Sequence, residues 1–501
     1  MFPYLSVLVA LPAVGAVVVR ALPEATRKTV RTVALGFALA ELALAAVMAL
    51  SFDAGNAGTV QFAETRPWIP QIGASWALGV TGIGLLLVLL AVVLTPLVLL
   101  ASWDDDDDPL RRAKYLALVL ALESFMVVIF AARDLFLFYV AFEAMLIPLY
   151  LLIGLFGGEQ RRYAAVKFLI YSLVGGLVML VGVIALYVAG PGGDQGFLIS
   201  HLTGLDLGTT TERLIFVAFF FAFAVKAPMV PVHTWLPTVA QTARPGTTAL
   251  LVAVLDKIGT FGMITLCLPL FPNASRWAAP VIVALAVLAV IYGAMLAIGQ
   301  QDMLRLVAYT SVSHFGVMIL GIFSFRQTAI EGAAFYMLNH GLSTGALFLA
   351  VGFLIKRRGS ADVRDFGGLQ KVVPVLAGTF LVVGLSALAL PGLSPFVSEI
   401  MVLVGAYPAA RVGVIVAIVG VVLAALYILL TYQRVFTGPP KEGLEKTRDL
   451  SWREKFVTGP LIALMLVLGF VPGVAISVLR APVQDVVAAV QPADAPTEVA
   501  P

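Results

Sequence analysis

The stretch that decides the fold runs from Leu214 to Pro237 and reads LIFVAFFFAFAVKAPMVPVHTWLP. It is long and apolar enough to cross a bilayer, which takes about 20 helical residues, yet Lys226 lies near its middle. A charge at that depth costs roughly 2.5–3.5 kcal/mol on insertion scales. Pro228 and Pro231 follow at once and free backbone carbonyls, which must then face protein or water rather than lipid. A helix broken beside a buried lysine predicts a machine that moves charge within the membrane.

The composition extends this interpretation to the whole chain. Of the 501 residues, 60% are hydrophobic and 12% are charged, whereas about 45–50% of a soluble domain is apolar. The net charge of +3 gives no sign of nucleic-acid binding. Cys267 is the single cysteine and cannot form an intrachain disulfide. No basic residue precedes the first apolar run, so we interpret that run as a membrane span rather than a cleaved signal.

We count 14 apolar runs that are long enough to span the membrane. They cover residues 2–19, 32–52, 76–101, 115–132, 135–156, 168–190, 213–236, 246–270, 280–299, 306–324, 330–355, 373–404, 412–436 and 456–479.

The lysines and arginines indicate the orientation, because cytoplasmic loops are enriched in them. With the N-terminus outside, 23 of the 32 basic residues fall in inside loops and 7 in outside loops. The remaining two, Lys226 and Lys257, lie within spans. The sequence therefore predicts an integral, multi-pass protein of a bacterial plasma membrane with both termini on the outer face. A run of five acids, Asp104–Asp108, is interpreted as a solvated inside loop without metal-ligand spacing.

A second span is interrupted by proline and glycine beside a charge. Residues 390–399 read LPGLSPFVSE and end at Glu399. The interval from Lys226 to Glu399, applied to Glu143, ends close to His314. Paired broken helices are typical of repeat-built transporters. We therefore predict an all-α fold of 14 transmembrane helices, with helices 4–8 and 9–13 as two inverted five-helix repeats and with helices 7 and 12 broken.

This organisation divides the chain into five parts. They are residues 1–114 with helices 1–3, residues 115–270 as the first repeat, residues 280–437 as the second repeat, residues 456–479 as helix 14, and a mobile tail at 480–501.

Few titratable residues lie deep in the predicted spans, and each is costly to bury. They are Glu41, Glu123, Glu143, Lys226, His233, Asp256, Lys257, His314, His340 and Glu399. Glu143 is either part of a structural ion pair or the partner of Lys226, and we favour the second. Burial raises the pKa of a carboxylate and lowers that of a lysine, and an opposite charge reverses both shifts. A Glu/Lys pair whose separation changes can therefore load and release a proton.

The remaining candidates are the basic groups further along the chain. Lys257 adjoins Asp256, but neighbouring side chains on a helix point about 100° apart and need not pair. His314 and His340 are either packed core residues or members of a hydrated relay, since imidazole exchanges protons near neutral pH. Glu41 and Glu123 fit structural roles near the interface. The sequence assigns no role to Asp256 or His233.

Several motifs are absent from the sequence. There is no cysteine cluster for an iron–sulfur centre, no haem ligand pair, no G-x-x-x-x-G-K-[ST] and no strand-borne G-x-G-x-x-G. We therefore expect no cofactor, no metal and no redox centre in this chain.

Five segments together resemble one family, the antiporter-like membrane subunits of respiratory complex I, of the NuoM type. They are FEAMLIP at 142–148, KAPMVPVHTWLP at 226–237, LDKIGTFG at 255–262, QDMLRLVAYTSVSHFG at 301–316 and NHG at 339–341. Glu399 favours the NuoM type, because its paralogues tend to carry lysine there. Two segments depart from the family pattern: TVAQTARP at 238–245 lacks the usual acids, and PGLSP at 391–395 replaces Pro-Gly-Thr-Gly-Asn.

The resemblance implies a proton-translocating subunit of NADH:quinone oxidoreductase with two linked half-channels and no redox centre of its own. Proton transfer would involve Glu143, Lys226, Lys257, His314, His340 and Glu399. The implied partners are other complex I membrane subunits, including paralogous antiporter-like subunits on either side, and membrane lipids. The alternatives are a subunit of a multi-subunit cation/proton antiporter and a stand-alone secondary transporter.

Overall fold

The computed structural model describes residues 2–22 and 29–491, most of which are helical. Long runs of Leu, Ala, Val and Phe dictate this, because a helix satisfies its own backbone groups where lipid offers no water. The helices of the first half are α1 (Tyr4–Ala21), α2 (Val30–Leu50), α3 (Gly82–Ala101), α4 (Pro109–Ala131), α5 (Leu135–Ala144), α6 (Leu146–Phe156), α7 (Arg161–Ala189), α8 (Ile199–Leu202), α9 (Thr209–Lys226), α10 (Trp235–Thr242), α11 (Pro245–Leu250), α12 (Lys257–Gly262) and α13 (Leu268–Leu270).

Two π-helical segments, Leu251–Leu255 and Met263–Cys267, join α11, α12 and α13 into one continuous helix, Pro245–Leu270. The helices of the second half are α14 (Pro272–Ile298), α15 (Met303–Ile322), α16 (Gln327–Arg358), α17 (Leu369–Val372), α18 (Pro374–Ala387), α19 (Ser394–Ala406), α20 (Arg411–Phe436), α21 (Trp452–Phe470) and α22 (Gly473–Val490).

Twelve helices among the described residues are long and apolar enough to cross a membrane. Eleven of them coincide with predicted runs, and the twelfth is α22, Gly473–Val490. The other three predicted runs are interrupted. Residues 213–236 divide between α9 and α10, residues 373–404 between α18 and α19, and residues 456–479 between α21 and α22. The chain is thus a multi-pass membrane protein.

Both predicted helix breaks are present. Residues 227–234 are non-helical between α9 and α10, where Pro228 and Pro231 have no N–H to donate. Residues 388–393 are non-helical between α18 and α19, where Gly392 takes a φ of +96° that L side chains rarely adopt. The first break directly follows Lys226, and the second precedes the helix that carries Glu399.

The C-terminal prediction was wrong in two respects. The predicted helix 14 at 456–479 is broken near Pro472, and α22 begins at the next residue. Residues 480–490 are helical rather than a mobile tail, because Val483, Val487 and Val490 recur at helical spacing and are buried. The rest of the predicted tail, 492–501, lies outside the described residues.

An antiparallel hairpin corrects the all-α prediction. Strand β1 (Gln61–Ile69) pairs with β2 (Ala74–Val80), and Gly73 turns the chain between them with a φ of +74°. The predicted third span therefore began too early, at 76, since α3 begins at Gly82. A short apolar run does not by itself distinguish a strand from a helix.

The acidic loop Asp104–Asp108 is exposed at Asp104, Asp107 and Asp108, as predicted, but it also forms ion pairs that the sequence did not predict. Asp106 binds the Arg244 guanidinium at 2.6 and 3.0 Å, Asp105 binds Lys356 at 2.6 Å, and Asp104 binds Arg453 at 2.5 Å. The loop thus ties the starts of α11 and α21 to the end of α16. Sequence spacing could not show this, because the three partners lie 138 or more residues away from their acids.

The core is built around α15, α16 and the helix Pro245–Leu270. In these helices 89%, 94% and 94% of the most apolar window is buried, whereas α7, α14 and α20 have 39%, 39% and 33% buried. The three central helices carry Lys257, His314 and His340. The polar groups therefore lie along the middle of the molecule, shielded from lipid.

Candidate functional site

Lys226 is the last residue of α9, and its ammonium is buried without a hydrogen bond. Its exposed fraction is 1%, and no acceptor among the described residues reaches Nζ. The rings of Phe142 and Phe168 flank it, with their centroids 5.6 and 5.4 Å from Nζ. Aromatic faces attract a cation but replace only part of its lost hydration. A change in the charge of a neighbouring group will therefore strongly alter the proton affinity of this lysine.

Glu143 enters the same region near the end of α5. Its carboxylate lies against Gly176 of α7, where a methyl group would overlap it. The adjacent Gly175 packs against Ala222 and Val225 of α9, the turn that leads to Lys226. Two consecutive glycines of α7 therefore make room for the carboxylate on one side and for the lysine-bearing helix on the other.

Glu143 and Lys226 lie close together without touching. In the described part of the chain no ion pair joins them, and Glu143 Oε1 is buried without a hydrogen-bond partner. Their charges nevertheless act on each other. The two groups that the sequence predicts to pair are thus not joined by a hydrogen bond in this structure.

Lys257 is fully buried and lies two residues beyond the first π-helical segment. The wide turn lets Asp256 N donate to Leu251 O, five residues back, at 3.0 Å. The Lys257 ammonium donates to Val252 O at 2.6 Å and to His340 Nδ1 at 2.7 Å, and it lies 4.8 Å from the centroid of the Phe315 ring. The helix irregularity thus supplies the lysine with a backbone acceptor beside its histidine partner.

From the histidines, a chain of hydrogen bonds leads to Glu399. The rings of His340 and His314 have centroids 5.3 Å apart. His314 Nδ1 donates to the Tyr336 hydroxyl at 2.7 Å, and that hydroxyl donates to Glu399 Oε2 at 2.7 Å. One water or one rotamer change would complete the step between the two imidazoles. Protons can then pass from donor to acceptor along this line.

The second broken helix is anchored so that Glu399 meets this chain. Asn339 of α16 donates from Nδ2 to Ser394 O at 3.0 Å and to Ser398 Oγ at 3.2 Å. Both serines lie in the first turns of α19, directly before Glu399. The anchor fixes the carboxylate opposite Tyr336.

Beyond Glu399 a small cavity leads toward α14 and α20. It has about 10 Å³ of space for the centre of a water molecule, which suffices for about one water. Its polar lining is Ser313, His314, Glu399 and Tyr427. A carboxylate that faces such a cavity can exchange its proton with water.

Two further buried acids, Glu41 and Glu123, form a separate pair. Glu41 of α2 and Glu123 of α4 are fully buried, and their charges act on each other. None of their carboxyl oxygens has a donor among the described residues. Their helices contribute none of the six predicted proton-transfer residues.

The structure thus groups the six predicted residues in two sets. Glu143 and Lys226 share one region, and Lys257, His340, His314 and Glu399 share the other.

Sequence reasoning missed Tyr336, which links His314 to Glu399. A signal was available, because Tyr336 precedes His340 by four residues and so lies on the same face of α16. A lone tyrosine in an apolar span, however, also fits ordinary packing. The structure shows its position in the chain, because the Tyr336 hydroxyl is hydrogen-bonded to a histidine of α15 and to a carboxylate of α19.

Comparison with known proteins gives consistent results. A family described as "NADH:quinone oxidoreductase/Mrp antiporter, TM" matches residues 132–426. NADH-quinone oxidoreductase subunit M of Mycobacterium tuberculosis is 46% identical over 96% of this chain and 94% of its own length.

Two solved structures share the fold. A chain of respiratory complex I from Thermus thermophilus with bound NADH aligns at a TM-score of 0.90 and 31% identity, over 97% of this chain and all of that one. A chain of the Mrp complex from Dietzia sp. aligns at a TM-score of 0.87 and 23% identity, over 98% of this chain and all of that one. The second likeness concerns the fold alone.

Proposed function

Because the chain belongs to the NADH:quinone oxidoreductase/Mrp antiporter transmembrane family, as a subunit of the NuoM type, we propose that it translocates protons within an NADH:quinone oxidoreductase. The redox free energy comes from other subunits, and this chain carries no redox centre or cofactor. Its partners are other membrane subunits of that complex, including paralogous antiporter-like subunits on either side, and lipids.

The proposed path has two linked halves. Glu143 and Lys226 take up a proton from the inner side, Lys257 passes it to the histidines, and Glu399 releases it to the outer side. We also propose the finer architecture that goes with this path, namely 14 spans in two inverted five-helix repeats and both termini on the outer face of a bacterial plasma membrane.

The energy of separating a buried Glu/Lys pair is close to the energy needed to move a proton against the membrane potential. At an effective dielectric constant of 20, moving two opposite charges from about 4 to about 8 Å apart costs about 2 kcal/mol. Pushing one proton outward against 100 mV costs about 2.3 kcal/mol. A displacement of a few ångströms between Glu143 and Lys226 is therefore of the right size to drive one proton.

The observation that carries the proposal is the line of hydrogen bonds on the second side. Buried lysine, histidine, tyrosine and carboxylate follow one another in the core, from Lys257 to Glu399. A scaffold would not keep so many ionisable groups in the membrane, because each is costly to bury there.

The test uses the chain in its own membrane. In a native gel it should migrate with a flavin-containing complex that oxidises NADH, whereas an antiporter subunit would not. In vesicles of that membrane, Lys226→Ala and Glu399→Gln should each abolish NADH-driven acidification while the complex remains assembled. Parental pumping in either assembled variant would refute the proposed path.

A further inference from the structure

We propose that Asp256 is the relay group between the two halves, accepting a proton from Lys226 and passing it to Lys257. This inference rests on the proposed function and adds to it a residue for which neither the sequence pattern nor any of the comparisons gives a role. It accounts for a gap in the path, because no hydrogen bond in the described chain connects Lys226 with Lys257.

The first observation is the close packing of α12 on the end of α9. A methyl group at Gly259 would lie 2.5 Å from Ala227 N and 2.5 Å from Phe223 O, and one at Gly262 would collide with the Phe223 ring. Neither contact leaves room for a side chain. The glycines therefore bring the backbone at position 256 close to the turn that carries Lys226.

The second observation is the direction in which Asp256 faces. Residues three apart share a helix face, so Asp256 lies on the face of Gly259, which contacts Ala227. Asp256 and Glu143 are the two carboxylates with an electrostatic influence on Lys226. Lys226 therefore has one acidic neighbour beside α12 as well as the one on α5.

The third observation is that the Asp256 carboxylate forms no hydrogen bond that would stabilise the fold. The residue is fully buried, and neither Oδ atom has a hydrogen-bond partner among the residues that the structure describes. A buried carboxylate without donors is costly. The charged groups that face it are Lys226 of α9 and Lys257 of its own helix.

The fourth observation is that Asp256 and Lys257 point to different halves. Their side chains diverge by about 100°, so that Asp256 lies on the face whose Gly259 packs against the end of α9, while Lys257 reaches His340. The π-helical segment before them sets this register, since its extra residue rotates everything that follows. Two consecutive positions of one helix are thereby directed toward the two half-sites.

The transfer balances in two steps. A proton moves from the Lys226 ammonium to the Asp256 carboxylate, which leaves a neutral amine and a neutral carboxyl. The carboxyl then protonates a neutral Lys257 amine and becomes a carboxylate again, while the new ammonium can donate to His340. No other reactant is required.

The decisive variant is Asp256→Asn in the assembled complex, measured as NADH-driven proton translocation in membrane vesicles. Removing a proton-transfer group should lower the rate about tenfold or more, and Asp256→Glu should restore part of it. The matched control is Glu41→Gln, which also converts a fully buried acid to its amide and should pump at the parental rate. Equal losses in Asp256→Asn and Glu41→Gln would mean a general effect of burying an amide and would overturn the inference.

The outcome also separates this inference from the proposed function. If Asp256→Asn pumps normally while Lys226→Ala and Lys257→Met do not, the relay is wrong and the path stands. If all three pump normally, the path itself is wrong. Should Asp256→Asn not assemble, Asp256→Glu decides the matter: a relay requires its pH profile of turnover to differ from that of the parent, and an unchanged profile would overturn the relay.

Discussion

The ionisable groups at the two helix breaks differ in their hydrogen bonding. At the first break, Lys226 is buried and Glu143 is half-buried, with no hydrogen bond to Nζ or to Oε1. At the second, Glu399 accepts from Tyr336, which in turn accepts from His314, at 2.7 Å in each case. In the proposed path the first region would therefore respond to the distance between charges, and the second would pass protons along hydrogen bonds that are largely formed. One chain thus combines an adjustable element with a fixed one.

The largest effect should follow from removing the lysine at which the second region begins. Lys257→Met deletes the ammonium that donates to His340, and we expect pumping to fall about a hundredfold or more. His314→Ala and His340→Ala should retain more activity, because an ordered water replaces an imidazole more readily than a titrating charge. Dye-reported acidification of vesicles measures all three. Full activity in all of them would mean that these residues are packed core and that the regions are not linked.

The next effect tests whether charge governs the first region. Glu143→Gln keeps the shape of the side chain and removes its charge, so pumping should fall about tenfold. Glu143→Asp keeps the charge and should retain more activity than Glu143→Gln. The control is Glu123→Gln, another buried acid on a helix outside the path. An assembled Glu143→Gln complex that pumps at the parental rate would remove the basis for a charge-dependent first region.

A smaller effect tests the fixed chain of the second region. Tyr336→Phe keeps the ring and deletes the hydroxyl between His314 and Glu399, so we expect a loss of about fivefold, with water partly replacing the link. Tyr427→Phe is the matched control. Tyr427 also lies beside Glu399 and lines the same cavity, but its hydroxyl has no hydrogen-bond partner in the described chain. Equal rates in the two variants would show that the hydroxyl of Tyr336 carries no protons.

The sequence predicts those features of the two regions that depend on local residues, but not those that depend on how distant helices pack. Charges within apolar runs and prolines beside them predicted both breaks and all six candidate residues, because burial cost and a missing N–H are local properties. Tyr336 and the facing direction of Asp256 depend on how α9, α12, α16 and α19 pack. The π-helical turn before Lys257 shifts the register by one residue, and no local residue pattern announces it. The β-hairpin and α22 were missed because apolar content alone does not separate strand, span and tail.

The smallest effect comes from the glycine that receives the Glu143 carboxylate. In Gly176→Ala the new methyl would overlap that carboxylate, and overpacking of this kind costs about 1–3 kcal/mol unless the side chain moves away. Glu143 Oε1 has no hydrogen bond to hold it, so the side chain is free to yield. A shift of about 1 Å at a separation of about 6 Å changes a charge–charge energy by about 0.4 kcal/mol at a dielectric constant of 20. Since 1.36 kcal/mol is tenfold, pumping should change by about twofold.

Gly154→Ala is the control, because its methyl would meet only Ala165 at an ordinary 3.5 Å. In a double-mutant cycle the shorter Glu143→Asp side chain should cancel the effect of Gly176→Ala. Strict additivity of the two changes would show that the carboxylate and the glycine act separately, and the first region would then not depend on where that carboxylate lies.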